Sequence, residues 1–172
     1  PATSVRDLIV KDDDLAIATH GRGFWILDNI TPLRQLEAGA APAEARLFMP
    51  TTAWRARWNL STDMPWPKEE PTMENPPEGT AIDYYLPETA SGPVTLELLQ
   101  TDGRLVRRYS STDTVAAPPD PAHAPVPVYW YRPPQTLSSA AGLHRFFWDV
   151  HYQRLPAISG SAPGGGASGL SI

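Results

Sequence analysis

Residues 18–28 decide the fold of this chain, and they read Ala-Thr-His-Gly-Arg-Gly-Phe-Trp-Ile-Leu-Asp. This order predicts a strand, a tight turn that contains Gly21 and Gly23, and a second strand over residues 24–27. The second strand is apolar at every position and shows no alternation with polar residues. An apolar run of this kind between turn residues is typical of a strand that is covered on both faces.

Two similar runs precede this stretch, at residues 8–10 and 15–18, and an acidic turn at residues 12–14 separates them. Three short strands joined by tight turns, with no polar face, indicate one blade of a β-propeller that lies between neighbouring blades. The rest of the sequence does not contain such neighbours. We therefore expect a fragment of a larger protein, in which residues 1–50 form a terminal blade and a short helix.

The helix is predicted just after the blade, because Thr31 can cap its start and Pro32 suits its first position. A further strand is expected over residues 45–49. The segment that follows, residues 51–79, is rich in Trp and Pro and is predicted to be a linker.

Strict alternation replaces the continuous apolar runs from residue 80 onward. Ile82, Tyr84 and Leu86 fall on one face of a predicted strand, and Asp83 and Tyr85 fall on the other. Such a strand has one buried face and one face in water. This change of pattern marks the beginning of a second module.

Further strands of the second module follow the same rule. Residues 94–98 alternate, an Asp-Gly pair at residues 102–103 favours a type I′ turn, and a return strand is predicted over residues 105–109. Over residues 143–152 the side chains again alternate between a mostly apolar face and a more polar face. We expect residues 80–172 to form an immunoglobulin-like β-sandwich that is truncated at its C-terminal end, because four or five strands are predicted where about seven are typical. The fold class is therefore all-β.

Composition limits the function classes. Proline accounts for 20 of the 172 residues, more than twice the roughly 5% of average proteins, and this excludes a helical bundle because internal prolines break helices. The net charge of −5, without a run of basic residues, argues against a nucleic acid as partner. The sequence has no cysteine, which excludes disulfides and thiolate metal sites. No apolar stretch approaches the roughly 20 residues of a membrane span.

The two halves of the sequence resemble one bacterial protein family. Residues 18–28 and 31–34 are similar to the last blade of sortilin-like, BNR-repeat β-propellers, which are commonly labelled glycosyl hydrolases or sialidase-like proteins. The second half resembles the family's C-terminal module, an immunoglobulin-like domain of the flagellar hook-capping type, at residues 75–77, 82–86, 102–107 and 142–149. The resemblance implies a periplasmic or secreted protein. The Asp-box turn of BNR repeats is not present, so the sialidase label is only implied by the resemblance.

His20 and Arg22 are the first candidate ligand-binding residues. They lie beside glycines in a tight turn, which is a place where a propeller can present ligand-facing side chains. The alternative is that the glycines supply positive φ angles while His20 and Arg22 bond neighbouring loops. Residues 12–14 provide three carboxylates, but they lack the spacing of a calcium loop, and a solvated turn is expected there.

Trp54 and Trp58 are the second pair of candidates. Their flat aromatic faces can stack on sugar rings, and Arg55 and Arg57 alternate with them. The alternative is that these rings fill the contact between the propeller and the sandwich. No catalytic residue, metal site or cofactor is predicted, because the sequence has no zinc spacing, nucleophile elbow, phosphate loop or dinucleotide fingerprint.

The preferred function is that of a non-catalytic C-terminal region that supports a propeller and offers a binding or spacing surface. Its first partner would be the remainder of the propeller, and a carbohydrate or protein ligand is a second expectation. One alternative is a part of a glycoside hydrolase whose active site lies mostly in upstream blades. Another alternative is a carbohydrate- or peptide-binding module.

Overall fold

The computed structural model describes most of the chain, namely residues 3–36, 41–54, 67, 69, 79–115, 117, 120–124, 127–128 and 134–152. Among these residues the regular structure consists of eight strands and one short helix, so the predicted all-β class is confirmed. No helix in the described ranges is long and apolar enough to cross a membrane. The blade and the immunoglobulin-like sandwich remain predictions.

The first sheet forms as the apolar runs predict. It contains β1 (Val5–Lys11), β2 (Asp14–Thr19) and β3 (Phe24–Leu27) in the order β1-β2-β3, and both pairings are antiparallel. Asp12 and Asp13 form the two-residue turn between β1 and β2, and Asp12 has a φ of 53°. Aspartate tolerates this left-handed conformation better than most residues do.

The helix α1 (Thr31–Arg34) follows this sheet, but the prediction that Thr31 caps it was wrong. The N-cap residue is Ile30, without a side-chain cap, and Pro32 takes the second helical position. The Leu33 and Arg34 N–H groups, which a Thr31 cap would bind, donate instead to the Ile30 carbonyl at 2.9 and 3.2 Å. Asn29 Oδ1 accepts a hydrogen bond from the Thr31 N–H at 3.2 Å, in an Asx turn just before the helix.

The second sheet contains β4 (Arg46–Leu47), β5 (Thr80–Leu86) and β8 (Gly142–Trp148) in the order β4-β5-β8. The strand predicted over residues 45–49 therefore exists in a shorter form. β5 is the central strand, and it is buried on both faces, with Ile82 and Tyr84 on one face and Asp83 on the other. The expectation that Asp83 faces water was therefore wrong. The carboxylate is instead paired with Arg145, its direct neighbour on β8.

The core beside the second sheet is small and mostly aromatic. Phe48, Ile82, Tyr84 and Phe146 are buried there. The Tyr84 hydroxyl donates to the Ser138 carbonyl at 2.8 Å and accepts from the Ser138 N–H at 2.7 Å. Tyr84 thereby holds the backbone just before β8 against β5.

The strand predicted over residues 143–152 is shorter than expected. β8 ends at Trp148, and Val150 has a φ of 57°. A β-branched residue in the left-handed region cannot continue a strand. The predicted extension of the strand over Val150 and Tyr152 was therefore wrong, although the first six predicted residues, 143–148, lie in β8.

The third sheet is a hairpin of β6 (Thr95–Leu99) and β7 (Leu105–Ser110). Its position confirms the prediction, but the turn is not of type I′. Only Gly103 has a positive φ, at 85°, whereas type I′ requires two such residues. The Gln100 N–H donates to the Arg104 carbonyl and the Gly103 N–H to the Gln100 carbonyl, so the connection is a longer loop.

The backbone contacts divide the chain into two units. One contains Pro1–Trp54, Pro76–Gly92 and Ser138–Val150, and therefore the first and second sheets. The other contains Arg55–Asn75, Pro93–Leu137 and His151–Ile172, and therefore the β6–β7 hairpin. The predicted division into residues 1–50, 51–79 and 80–172 stays a prediction.

Candidate interaction surface

The first sheet presents large apolar side chains on both of its faces. The register of the three strands assigns each residue to a face, because directly opposed residues point the same way. Face A consists of Leu8, Val10, Leu15, Ile17, Trp25 and Leu27. Face B consists of Asp7, Ile9, Ala16, Ala18, Phe24 and Ile26. A sheet with one face on a core and one face in water has a polar face, and neither face of this sheet is mostly polar.

Both faces are open to solvent. On face B the exposed fractions are 83% for Phe24 and 61% for Ile9, and on face A the value for Leu8 is 54%. Removing each of these exposed side chains from water would contribute roughly 1 kcal/mol to the free energy of association with a covering surface. Exposed apolar surface that is contiguous across three strands marks an interaction site.

Face B has a hollow of about 120 Å³. It is lined by the small residues Ala16 and Ala18, by the large apolar residues Ile9 and Phe24, and by Asp7 and Leu8. Packed sheets fill such hollows with a large side chain from the facing layer. The shape of face B therefore suits a bulky apolar residue of a neighbouring sheet.

The turn that carries His20 and Arg22 lies at the end of the first sheet. Gly21 and Gly23 have φ angles of 78° and 69°, which confirms that the turn needs glycine at these positions. The backbone of the turn is fixed by the Thr19 N–H, which donates to the Gly23 carbonyl at 3.1 Å. His20 and Arg22 are exposed, and their side chains make no hydrogen bond or ion pair within the described residues. Their role in binding a ligand stays a prediction.

The acidic turn at residues 12–14 is held by the segment around α1. Arg34 donates to the Asp13 carboxylate and to the Asp12 carbonyl, and the Asn29 N–H donates to Asp14 Oδ1 at 2.9 Å. Lys11 Nζ lies 2.9 Å from Asp12 Oδ2, so each of the three carboxylates has a partner in the protein. Within the described ranges, no group of three or more potential metal ligands is found.

Asp83 and Arg145 form the most buried charged contact that is described. Arg145 Nε lies 2.8 Å from Asp83 Oδ1, and the Asp83 side chain is 6% exposed. Arg145 also donates to the carbonyls of Asp28 and Asn29, at 2.6 Å each, just after β3 ends. One guanidinium therefore connects the second sheet to the end of the first. This role of Arg145 was not predicted from the sequence, although opposite charges within two alternating strands are a usable signal.

A shallow apolar cleft of about 280 Å³ lies beside this ion pair. Leu27, Pro32, Leu33 and Leu143 provide its apolar lining. His144 stands at its edge, where Nε2 donates to the Ala140 carbonyl at 2.7 Å and the ring packs against Tyr84 with 5.2 Å between centroids. The cleft extends the apolar surface of face A beyond Leu27.

Trp54 is 89% exposed, and Trp58 lies outside the described residues. No hydrogen bond or ion pair connects Trp54 with the turn at His20 in the part of the chain that is described. Both interpretations of Trp54, stacking on a ligand and filling a contact between the two modules, stay predictions. Whether Trp58 lies beside it stays a prediction.

Comparisons with family models, with curated proteins and with solved structures found no match.

Proposed function

We propose that this chain is a non-catalytic region of an exported β-propeller protein, in which it supports the propeller and offers a binding or spacing surface. The first sheet would be one blade, and face A and face B would each be covered by a neighbouring sheet. The observation that carries the proposal is the exposure of apolar side chains on both faces, with Leu8 at 54% and Phe24 at 83%. The export of the protein is supported by the family resemblance alone.

The supporting role rests on Arg145. This residue joins the last carbonyls of the blade to the Asp83 carboxylate in the second sheet. A contact that is mostly buried and makes four hydrogen bonds is stiffer than a linker of flexible residues. The second sheet would therefore hold the end of the blade in place when neighbouring sheets pack against it.

The absence of cysteine gives a direct test. Single cysteines are introduced as Leu8→Cys on face A and Phe24→Cys on face B. The rate of thiol labelling is then measured in this chain alone and in the longer polypeptide that carries it. We expect rapid labelling in the chain alone and labelling slowed by at least about a hundredfold in the longer polypeptide.

Glu97→Cys is the matched control, because Glu97 is an exposed strand residue of the β6–β7 hairpin. Its labelling rate should be the same in both settings. If Leu8→Cys and Phe24→Cys label at the rate of Glu97→Cys in the longer polypeptide, the faces are not covered and the proposal fails.

A second candidate function is that of a carbohydrate- or peptide-binding module, and the 89% exposure of Trp54 favours it. A stacked ligand would change the tryptophan fluorescence, and Trp54→Ala would remove that change whereas Trp54→Phe would keep part of the affinity. An unchanged response in Trp54→Ala would show that the ligand is held elsewhere. No response to a panel of oligosaccharides and peptides would remove this candidate.

A further inference from the structure

Residues 120–123 form a tight turn in the connection between β7 and β8. The His123 N–H donates to the Asp120 carbonyl at 3.0 Å and closes the turn. The Asp120 side chain bonds within the same turn, because Oδ1 accepts from the Ala122 N–H at 3.0 Å and Oδ2 lies 2.7 Å from His123 Nδ1. Asp120 and His123 therefore meet through both their backbones and their side chains.

The bond between Asp120 and Pro121 is the only Asp-Pro peptide bond in the sequence. An aspartate carboxylate can attack its own main-chain carbonyl carbon, because this attack closes a five-membered ring and needs no second reactant. The group that leaves is then the proline nitrogen, which becomes a basic secondary amine and is more easily protonated than the nitrogen of other peptide bonds. An Asp-Pro bond is therefore especially sensitive to acid.

The turn adds two groups that this reaction can use. The His123 N–H lies 3.0 Å from the Asp120 carbonyl oxygen, which is the distance of a donor that stabilises the negative charge formed there during the attack. The His123 ring contacts the Asp120 carboxylate, and a protonated imidazole can give its proton to the leaving nitrogen. A nucleophile, an oxyanion donor and an acid are therefore gathered around one peptide bond.

Asp120 and His123 are open to solvent, with 60% and 84% of their side chains exposed. In the described part of the chain, their only ion pair is with each other. The hydrogen bond from the Ala122 N–H and the hydrogen bond with the His123 ring hold the pKa of Asp120 below its usual value. The carboxylate therefore remains charged in mildly acidic solution, in which histidines gain a proton.

We propose that the bond between Asp120 and Pro121 is a self-cleavage site, at which the Asp120 carboxylate is the nucleophile and His123 is the proton donor. The reaction is intramolecular, consumes one water molecule and occurs once in each chain. It goes beyond the proposed function and does not rest on it, because the turn belongs to the unit of the β6–β7 hairpin and not to that of the first sheet.

The atoms and charges of the reaction balance in two steps. One carboxylate oxygen of Asp120 bonds to the main-chain carbonyl carbon, and the bond between this carbon and the Pro121 nitrogen breaks. The nitrogen keeps the electron pair of that bond and takes the proton of the His123 imidazolium, which gives a cyclic anhydride, a neutral secondary amine and a neutral imidazole. Water then opens the anhydride to two carboxyl groups, and the amine and the imidazole take up the two protons that these release.

Cleavage would divide the chain without releasing either fragment. The fragment of residues 1–120 would contain β5, and the fragment of residues 121–172 would contain β8, which pairs with β5 along its whole length. The buried ion pair of Asp83 and Arg145 would join the same two fragments. The product would therefore be a chain in two pieces, with an intact second sheet and an open connection between β7 and β8.

The test uses the whole chain, purified at neutral pH, incubated at a pH of about 5 and followed by mass spectrometry. We expect two fragments, which end at Asp120 and begin with Pro121 and whose masses together exceed that of the chain by one water molecule. They should elute together in size-exclusion chromatography and separate in urea. In water enriched in a heavy oxygen isotope, the label should enter both carboxyl groups of Asp120, because water can open the anhydride at either carbonyl.

Two variants separate the roles of the two side chains. Asp120→Glu keeps the charge but needs a larger ring, and it should slow cleavage by about tenfold or more. His123→Ala keeps the backbone donor and removes the ring, and it should slow cleavage by about a hundredfold. It should also lose the rise in rate that the unchanged chain shows as the pH falls from about 7 to about 5.

Thr114→Pro is the matched control. It places a second Asp-Pro bond after Asp113, in the same connection between β7 and β8 but with an alanine three positions later instead of a histidine. This bond should be cut more slowly than the bond after Asp120, by about tenfold or more.

Five results would overturn the inference. They are a chain that stays whole in mild acid, an unchanged rate in His123→Ala, equal rates at the two Asp-Pro bonds of Thr114→Pro, an isotope label confined to the main-chain carboxyl group, and equal rates in the folded chain and in the chain unfolded by urea. The last result would leave only the ordinary acid sensitivity of an Asp-Pro bond, and the turn would then be a structural Asx turn.

Discussion

Arg145 on β8 lies directly opposite Asp83 on β5, and its Nε and Nη2 atoms donate to the two carboxylate oxygens at 2.8 and 3.2 Å. The remaining donors of the guanidinium reach the carbonyls of Asp28 and Asn29. Arginine suits this position because its planar, permanently charged group can serve several acceptors at once. Lysine, with a single nitrogen, could not replace all four contacts.

Arg145→Met should destabilise the chain by about 3–5 kcal/mol, because it leaves the Asp83 carboxylate buried without its counter-charge. The measurement is urea unfolding of the unchanged chain and the variant. Asp83→Asn combined with Arg145→Met should recover a large part of the loss, since the double variant buries no charge. A double variant as unstable as Arg145→Met would show that the carbonyl contacts, and not the ion pair, dominate.

Tyr84→Phe should cost about 1–3 kcal/mol, because it removes the hydroxyl that pairs with both backbone groups of Ser138. Tyr85→Phe is the matched control on the next position of β5, where the side chain is only half-buried. Its free energy of unfolding should change by less than about 0.5 kcal/mol. Equal losses in the two variants would contradict the role given to the Tyr84 hydroxyl.

The stability of the chain should fall in strongly alkaline solution because of the same residue. Burial raises the pKa of Tyr84 above its usual value, and the hydrogen bond from the Ser138 N–H opposes this in part. The folded state therefore favours the neutral phenol. Its contribution is fully present below the unfolded pKa of about 10 and is lost as the pH rises through the folded pKa.

Unfolding free energies measured at rising pH check this expectation. Tyr84→Phe should show a shallower decline above a pH of about 10 than the unchanged chain does. A parallel decline in both proteins would assign the alkaline loss to other groups.

Gly79→Ala should destabilise the second sheet severely. A Cβ at this position would lie 2.0 Å from the Trp148 carbonyl oxygen, and the φ of 106° is unfavourable for any side chain. We expect a loss of about 3 kcal/mol or more, because both atoms that collide belong to the backbone. Gly103→Ala separates the two effects, since φ is 85° there but no atom lies within 4 Å of the added Cβ. It should lose only about 1 kcal/mol.

The strands of the first sheet and the position of the β6–β7 hairpin follow directly from sequence pattern. Continuous apolar runs and an Asp-Gly pair are local signals, which can be recognised without knowing which distant strand lies beside them. The prediction of a type I′ turn was wrong because the hydrogen bond between Gln100 and Arg104 closes a longer loop that contains Gly103. The prediction that Thr31 caps the helix was wrong because the helix begins one residue earlier, and the Ile30 carbonyl accepts from the Leu33 and Arg34 N–H groups.

The burial of Asp83 could not be predicted from its own surroundings. Its alternation with Ile82 and Tyr84 predicts a solvent-facing residue, and only the strand that lies opposite reverses this. The binding candidates show the same limit. The turn of His20 and Arg22 was predicted from its glycines, but the availability of the two side chains depends on which loops approach them.

The separation of Asp83 and Arg145 by 62 positions in the chain also bears on how the molecule is made. The three hairpins of consecutive strands, β1–β2, β2–β3 and β6–β7, close over short loops and can form within microseconds. The pairing of β5 with β8 requires the slower closure of a long loop. In a nascent chain that has not yet emerged from the ribosome as far as residue 145, the Asp83 carboxylate has no counter-ion, and the second sheet cannot yet bury it. Assembly of the second sheet should therefore be the slow, late event, and the interval before it is when chaperones and proteases would have access to this region.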